Sequence, residues 1–208
     1  MQTQSEGAEP TAVLIVDDDS SIRKALESLL RSEGHRVYCF SSAQDLLDKP
    51  LPGCLRCLLA DVRMPRMSGP QLHAQLRNCN QSIPVVFMTG AADLASGVQA
   101  MKAGATDYLP KPFQDTALLA AVGRALDSDR ARMRDQPLLD RFDRLTPRER
   151  QVMKGVVRGL MNKQIAWELK ISEITVKLHR CSLMKKLALR NVVELVLAAQ
   201  TIAKYMEN

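Results

Sequence analysis

The chain has 208 residues, of which 46% are hydrophobic and 4% aromatic, enough apolar surface for one or two ordinary cores. Its longest apolar runs fall well short of the ~20 residues needed to cross a bilayer, and the opening MQTQSEGAEPTA has no apolar h-region, so neither an anchor nor an export signal is expected. Charge is divided unevenly: residues 1–127 carry 12 Lys/Arg against 14 Asp/Glu, a balance of −2, and residues 128–208 carry 17 against 9, a balance of +8. A basic block behind a near-neutral one points to nucleic-acid binding by the C-terminal part.

In chain order, five short apolar runs follow one another: AVLIV (12–16), RVYCF (36–40), CLLADV (57–62), PVVFMT (84–89) and TDYL (106–109). Each leads into a helical pattern, as in IRKALESLLRSEG, where Ile22, Leu26, Leu29 and Leu30 make one stripe and Gly34 the stop. Strands this apolar on both faces predict a parallel sheet with helices on each side, the doubly wound α/β architecture with five parallel strands. In such sheets the functional crevice lies beyond the carboxyl ends of the strands, where strand order reverses.

The residues at those ends are Asp17, Asp18 and Asp19 after the first strand, Asp61 in LLADVRMPRMSG at the end of the third, Thr89 at the end of the fourth, and Lys111 with Pro112 after the fifth. Carboxylates brought within ~4 Å of one another repel by several kcal/mol per pair even at an effective dielectric of ~20, so the cluster needs a counter-charge. Lys111 can supply one, and a hard divalent cation two more. Asp19 alone reads as a helix N-cap.

VDDD, DVRMPRMSG, MTG and AMKAGATDYLPKPF, in this order and spacing, resemble the receiver domain of two-component response regulators, over residues 11–127, which implies the flavodoxin-like form of the doubly wound sheet. The resemblance implies that Asp61 is the phosphoacceptor, modified by a sensor histidine kinase. It also implies that Asp17, Asp18, Asp61 and the backbone carbonyl of Arg63 hold Mg²⁺ or Mn²⁺, with Asp17 acting through water. Lys111 and Thr89 would contact phosphoryl oxygens, and Tyr108 would be the aromatic switch that moves inward as Thr89 is drawn to the phosphoryl group. The chain departs from the pattern at GAADLASGV, residues 90–98, where relatives carry a histidine or acidic turn.

Residues 114–135 predict the last helix of this domain, continuing through DSDRARMRD until Pro137 interrupts it, so that 128–144 reads as a solvated helical linker. At LTPRER three signals start a new helix: Thr146 and Glu149 form a capping box and Pro147 occupies the first helical position. A second helix follows Asn162 and a third follows Ser172, joined by KIS, which is a helix-turn-helix pattern in an all-α four-helix domain over 145–208. LTPRERQV, GLMNKQIAWEL and ISEITVKLHR resemble the LuxR-type domain of NarL/FixJ regulators. That resemblance places Lys177, Leu178 and Cys181 at base edges of double-stranded promoter DNA and Asn162, Lys163, Thr175, Arg180 and Lys185 at phosphates. Lys170 stands where many relatives have glycine, which predicts either a backbone that avoids positive φ or a modest strain.

The last helix, with Val192, Val193, Leu195, Val196 and Leu197, is too apolar to be wholly internal and in relatives pairs two chains on DNA. Cys54 and Cys57 in CLRC have neither a helix N-terminus nor a second ligand pair to make a redox or zinc site. Five cysteines without an export signal fit a bacterial cytoplasm. His35, His73 and His179 form no cluster, and Trp167 is expected in the core of the second domain. The whole chain thus reads as a phosphorylation-controlled transcription regulator that dimerises on phosphorylation or on DNA and meets RNA polymerase there. A phosphatase on the same fold is disfavoured, since neither a glycine-rich phosphate loop nor a second general acid is present, so the chain is not expected to be an enzyme.

Overall fold

The computed structural model describes residues 9–79, 81–90 and 105–206. The chain divides between Ala131 and Arg132 into two compact units. The first contains β1 (Thr11–Val16), α1 (Ser20–Ser32), β2 (Arg36–Phe40), α2 (Ala43–Leu47), β3 (Leu55–Asp61), α3 (Gly69–Asn78), β4 (Val85–Gly90), β5 (Asp107–Lys111) and the first part of α4 (Asp115–Asp143). The five strands are all parallel, in the order β2-β1-β3-β4-β5. The expected doubly wound sheet is therefore present, and its order reverses between β1 and β3.

Successive side chains of a strand point to opposite faces, and here both faces are covered. From β1, Val13 and Ile15 join Leu26, Leu30, Leu118 and Val122 in one apolar layer, while Leu14 and Val16 join Leu46, Leu72 and Phe87 in the other. Residues Ala12 to Val16 have no solvent exposure. That explains why a half-polar alternation is missing from the sequence of this strand. Register then sets the rim: Val16 lies beside Ala60, Asp61 beside Met88, Thr89 beside Pro110 and Gly90 beside Lys111.

Local signals fix the helices next to that rim. The Asp19 carboxylate accepts from the Ser21 and Ile22 amides and caps α1, as expected for that residue. Ser68 and Gln71 form a reciprocal capping box at α3. Gly69 follows, and any Cβ there would collide with the Asp61 carbonyl oxygen. The loop from Asp61 to α3 can close only with glycine at that position.

The helix α4 runs on through Pro137, contrary to the interruption expected there. Proline removes one backbone donor, but that loss is local, and apolar side chains just beyond it have somewhere to pack. Leu138, Leu139 and Phe142 lie against the core of the second unit, whereas Asp129, with no solvent exposure, accepts from the Arg56 amide at 2.9 Å in the first. Residues expected as a solvated linker thus belong partly to each unit's interior.

In the second unit, α5 (Pro147–Val157), α6 (Asn162–Leu169), α7 (Glu173–Leu187) and α8 (Val192–Met206) are the four expected helices. They enclose Val152, Met153, Val156, Ile165, Val176, Leu183, Leu187, Leu195 and Ile202. Lys170 takes a left-handed conformation, φ 53° and ψ 47°, so of the two outcomes expected there the strained one holds. Trp167 is 83% exposed, not in the core. It lies two residues past Ile165, about 200° around the helix, on the side of α6 away from the buried Ile165 and Ala166.

Candidate functional site

At the carboxyl ends of β1, β3 and β5 three charged groups converge. The Lys111 ammonium lies 2.7 Å from Asp17 Oδ2 and 2.6 Å from Asp61 Oδ1. Asp17 and Asp61 are 1% and 8% exposed, so two carboxylates share one cation in a largely desolvated setting. Their outer oxygens are also engaged: the Arg63 amide donates to Asp61 Oδ2 at 2.7 Å, and the Asp19 amide to Asp17 Oδ1 at 2.9 Å. The Arg23 guanidinium donates to the Asp17 carbonyl at 2.6 Å, a buttress with no signal in the sequence.

Burial pushes the Asp61 carboxyl above the ordinary aspartate value, and the hydrogen bonds from Lys111 and Arg63 offset this only in part. Burial would lower the Lys111 ammonium, but its bonds to Asp17 and Asp61 outweigh that and hold it above the usual lysine value. The pair therefore keeps the positive charge fixed over the acidic rim. A group with one cation for two buried carboxylates retains net negative charge.

Asp18 is exposed, and no hydrogen bond or ion pair among the described residues engages its carboxylate. Thr89 is buried at the end of β4, where its hydroxyl makes a long 3.4 Å contact to the Gly90 carbonyl. Tyr108, half-buried in the layer that contains Phe87, is paired with Phe87 across β4 and β5. Side chains alternate along a strand, so Thr89 and Tyr108 are diagonal neighbours on one face. The segment 91–98 of the departure GAADLASGV lies outside the described residues.

Among the described residues no set of three or more His, Cys, Asp or Glu side chains forms a closed metal cage. Magnesium does not require one, because it keeps several waters and takes one or two carboxylates. The donors at this rim are all oxygens, and Asp18 is unengaged beside two buried carboxylates. That chemistry fits a hard divalent cation.

In the second unit the residues with nucleic-acid chemistry gather on α6 and α7. Ser172 caps α7 by accepting from the Thr175 amide at 3.1 Å. Val176, Leu183 and Leu187 form its buried face. Lys177, Leu178, Cys181 and Lys185 are exposed on the side away from it, with Lys177 3.5 Å from Glu173. Arg180 donates to Asn162 Oδ1 at 2.6 Å, joining the start of α6 to α7, while Lys163 is exposed.

Sequence reasoning found Glu149 only as a cap. It is 3% exposed, and besides the Thr146 amide at 2.7 Å it accepts from Ser182 Oγ at 2.6 Å and Lys186 Nζ at 2.7 Å. Burial alone would raise its carboxyl, but those bonds bring it down to about 2. This side chain ties α7 to the start of α5, in addition to the apolar contacts between the two helices.

Two family models match the chain: the response regulator receiver domain over residues 13–123, and bacterial regulatory proteins of the luxR family over residues 143–199. Nodulation protein W of Bradyrhizobium diazoefficiens is 43% identical over 202 residues, covering 95% of this chain and 89% of that protein. The transcriptional regulatory protein FixJ of the same organism is 39% identical over 189 residues, covering 88% and 92%. Among solved structures, the response regulator StyR is similar at a TM-score of 0.58 and 45% identity, over 92% of this chain and 98% of that one.

Proposed function

The chain belongs to the response regulators that join a receiver domain to a LuxR-family DNA-binding domain, and from that membership we propose that Asp61 accepts a phosphoryl group from a sensor histidine kinase. The observation that carries this assignment is the Lys111 ammonium bridging Asp61 and Asp17 at the strand ends. In the transfer, an Asp61 carboxylate oxygen forms a bond to phosphorus as the phosphorus–nitrogen bond to the kinase histidine breaks. The electron pair of that bond stays on the departing nitrogen, and the imidazole leaves neutral because its other ring nitrogen carries a proton. Little covalent work falls to the protein; positioning and charge neutralisation carry the step.

Lys111 then exchanges its contact with the Asp61 carboxylate for one with a phosphoryl oxygen, and the Thr89 hydroxyl donates to another. Drawing Thr89 toward the phosphoryl group leaves room for its diagonal neighbour Tyr108 to turn inward. Asp17, Asp18, Asp61 and the Arg63 carbonyl are the groups that would hold Mg²⁺ or Mn²⁺, which when bound supplies positive charge to the phosphoryl oxygens. Asp61 is consumed as an acceptor rather than regenerated as a catalyst within one encounter, so the chain acts as a regulator and not as an enzyme.

We assign residues 11–127 to the receiver, 128–144 to the helical connection and 145–208 to DNA binding. Phosphorylation biases an existing equilibrium toward a homodimer. In it, Lys177, Leu178 and Cys181 meet base edges of promoter DNA, and Asn162, Lys163, Thr175, Arg180 and Lys185 meet phosphates. Exposed Val193 and Leu197 on α8, 70% and 57% accessible, supply an apolar surface for pairing two chains on DNA. The setting is the bacterial cytoplasm, with RNA polymerase as the downstream partner; no helix among the described residues is long and apolar enough to cross a membrane.

Asp61→Asn keeps the size of the side chain and removes its nucleophilic charge. Incubation with labelled acetyl phosphate and Mg²⁺ should label the parent chain and leave this variant unlabelled. Equal labelling of the two would assign the acceptor elsewhere.

A further inference from the structure

Along the solvent face of α7, Ile174 is 71% exposed and Leu178 66%, with Cys181 also exposed one turn further on. The spacing i, i+4, i+7 puts all three in one stripe, turned away from the buried Val176, Leu183 and Leu187. Single exposed apolar residues are ordinary on a protein surface. Here two large hydrocarbons stand one turn apart on the same line, with the exposed Lys177 between them and the exposed Lys185 beyond. A protein partner would call for a broad apolar patch. On α7 this stripe is one residue wide and flanked by the ammonium groups of Lys185 and of Lys177, the latter also 3.5 Å from Glu173, an arrangement that suits a polyanion with small apolar features at its centre.

In the major groove the methyl group on a base edge is the C5 methyl of thymine, and the other bases present chiefly hydrogen-bond donors and acceptors there. Four residues of helix advance about 6 Å, close to two base-pair steps at about 3.4 Å each. We propose that Ile174 and Leu178 read two thymine methyl groups about two base steps apart in each half-site. The inference rests on α7 being the recognition helix, and it adds what that helix selects. An isoleucine or leucine at a guanine or cytosine edge would cover polar atoms without pairing them, so the stripe also discriminates against those bases.

The test uses the full chain. Duplexes are selected from a random pool with acetyl phosphate and Mg²⁺ present, and in the selected half-site each thymine is replaced singly by deoxyuridine, which removes only the methyl group. At two thymines, two steps apart, affinity should fall about fourfold for each methyl lost, while binding to unrelated duplex is unchanged. Ile174→Ala should abolish the response to one of the two replacements and Leu178→Ala the response to the other. Lys185→Ala should weaken thymine and uracil duplexes by the same factor. Uracil without effect at every position, or variants as sensitive to it as the parent, overturns the inference while leaving DNA binding intact. Retention of no duplex from the pool overturns the recognition-helix reading itself, and the inference with it.

Discussion

Asp18 differs from its neighbours in being both exposed and unengaged. Asp17 and Asp61 are buried and joined through Lys111, so removing either carboxylate disturbs the packing of charge at the rim. Removing a solvent-facing carboxylate without a partner should change stability by no more than about 0.5 kcal/mol. Asp18→Ala should therefore keep the urea midpoint of the parent chain and lose the Mg²⁺ binding heat measured by calorimetry. An unchanged affinity for Mg²⁺ would remove Asp18 from the ligand set. Trp167, in the second unit and far in sequence from the acidic rim, suits DNA titrations better than this measurement.

At the scale of elements, α7 is held by its buried apolar face and by one buried carboxylate that ties it to α5. Glu149 caps α5 and at the same time accepts from Ser182 and Lys186 on α7. Its carboxyl lies at about 2 in the folded chain against 4.5 unfolded. A depressed carboxyl stabilises the folded state above its unfolded value, and that contribution disappears as pH falls through the folded one. Glu149→Gln should cost the second unit roughly 2 to 3 kcal/mol at neutral pH, and the difference from the parent should close between pH 4.5 and about 2. Urea unfolding of both chains across that range decides it; a gap independent of pH would assign the effect to lost packing. Lys170 works in the opposite sense, since its left-handed backbone costs about 1 kcal/mol that glycine would not incur.

At the scale of the whole molecule, the charge sits where the binding is assigned: +8 lies in residues 128–208. Affinity for DNA should therefore fall steeply with salt. Within that general attraction, contacts to bases and to phosphates separate by their effect on selectivity. Lys177→Ala should reduce specific binding more than non-specific binding, by about 1 to 3 kcal/mol of discrimination. Lys185→Ala should preserve the ratio of the two and lower the slope of log affinity against log salt by about one unit. Titrations of both variants at matched salt concentrations check this. The reverse pattern would mean that α7 is rotated about its axis from the assignment given above.

Much of the architecture is determined locally and can be read along the chain. Five apolar runs bounded by turns fix a parallel sheet, because strands covered on both faces need no polar alternation. The capping residues Asp19 and Thr146 act within three residues of themselves, so their helices begin where the sequence places them. The acidic rim is legible for the same reason: a carboxylate such as Asp61 at the end of a buried strand has no packing role that explains it. Long-range contacts lie beyond this reach. Lys111 meets Asp17 across 94 residues and Asp61 across 50, and Glu149 meets Lys186 across 37. Those distances are set by sheet order and helix packing, which no local pattern encodes. Trp167 and Pro137 carry the same lesson. Hydrophobicity says that a side chain gains by burial and proline that a helix loses a bond, but only the neighbouring helices decide whether a cavity or a compensating contact lies within reach.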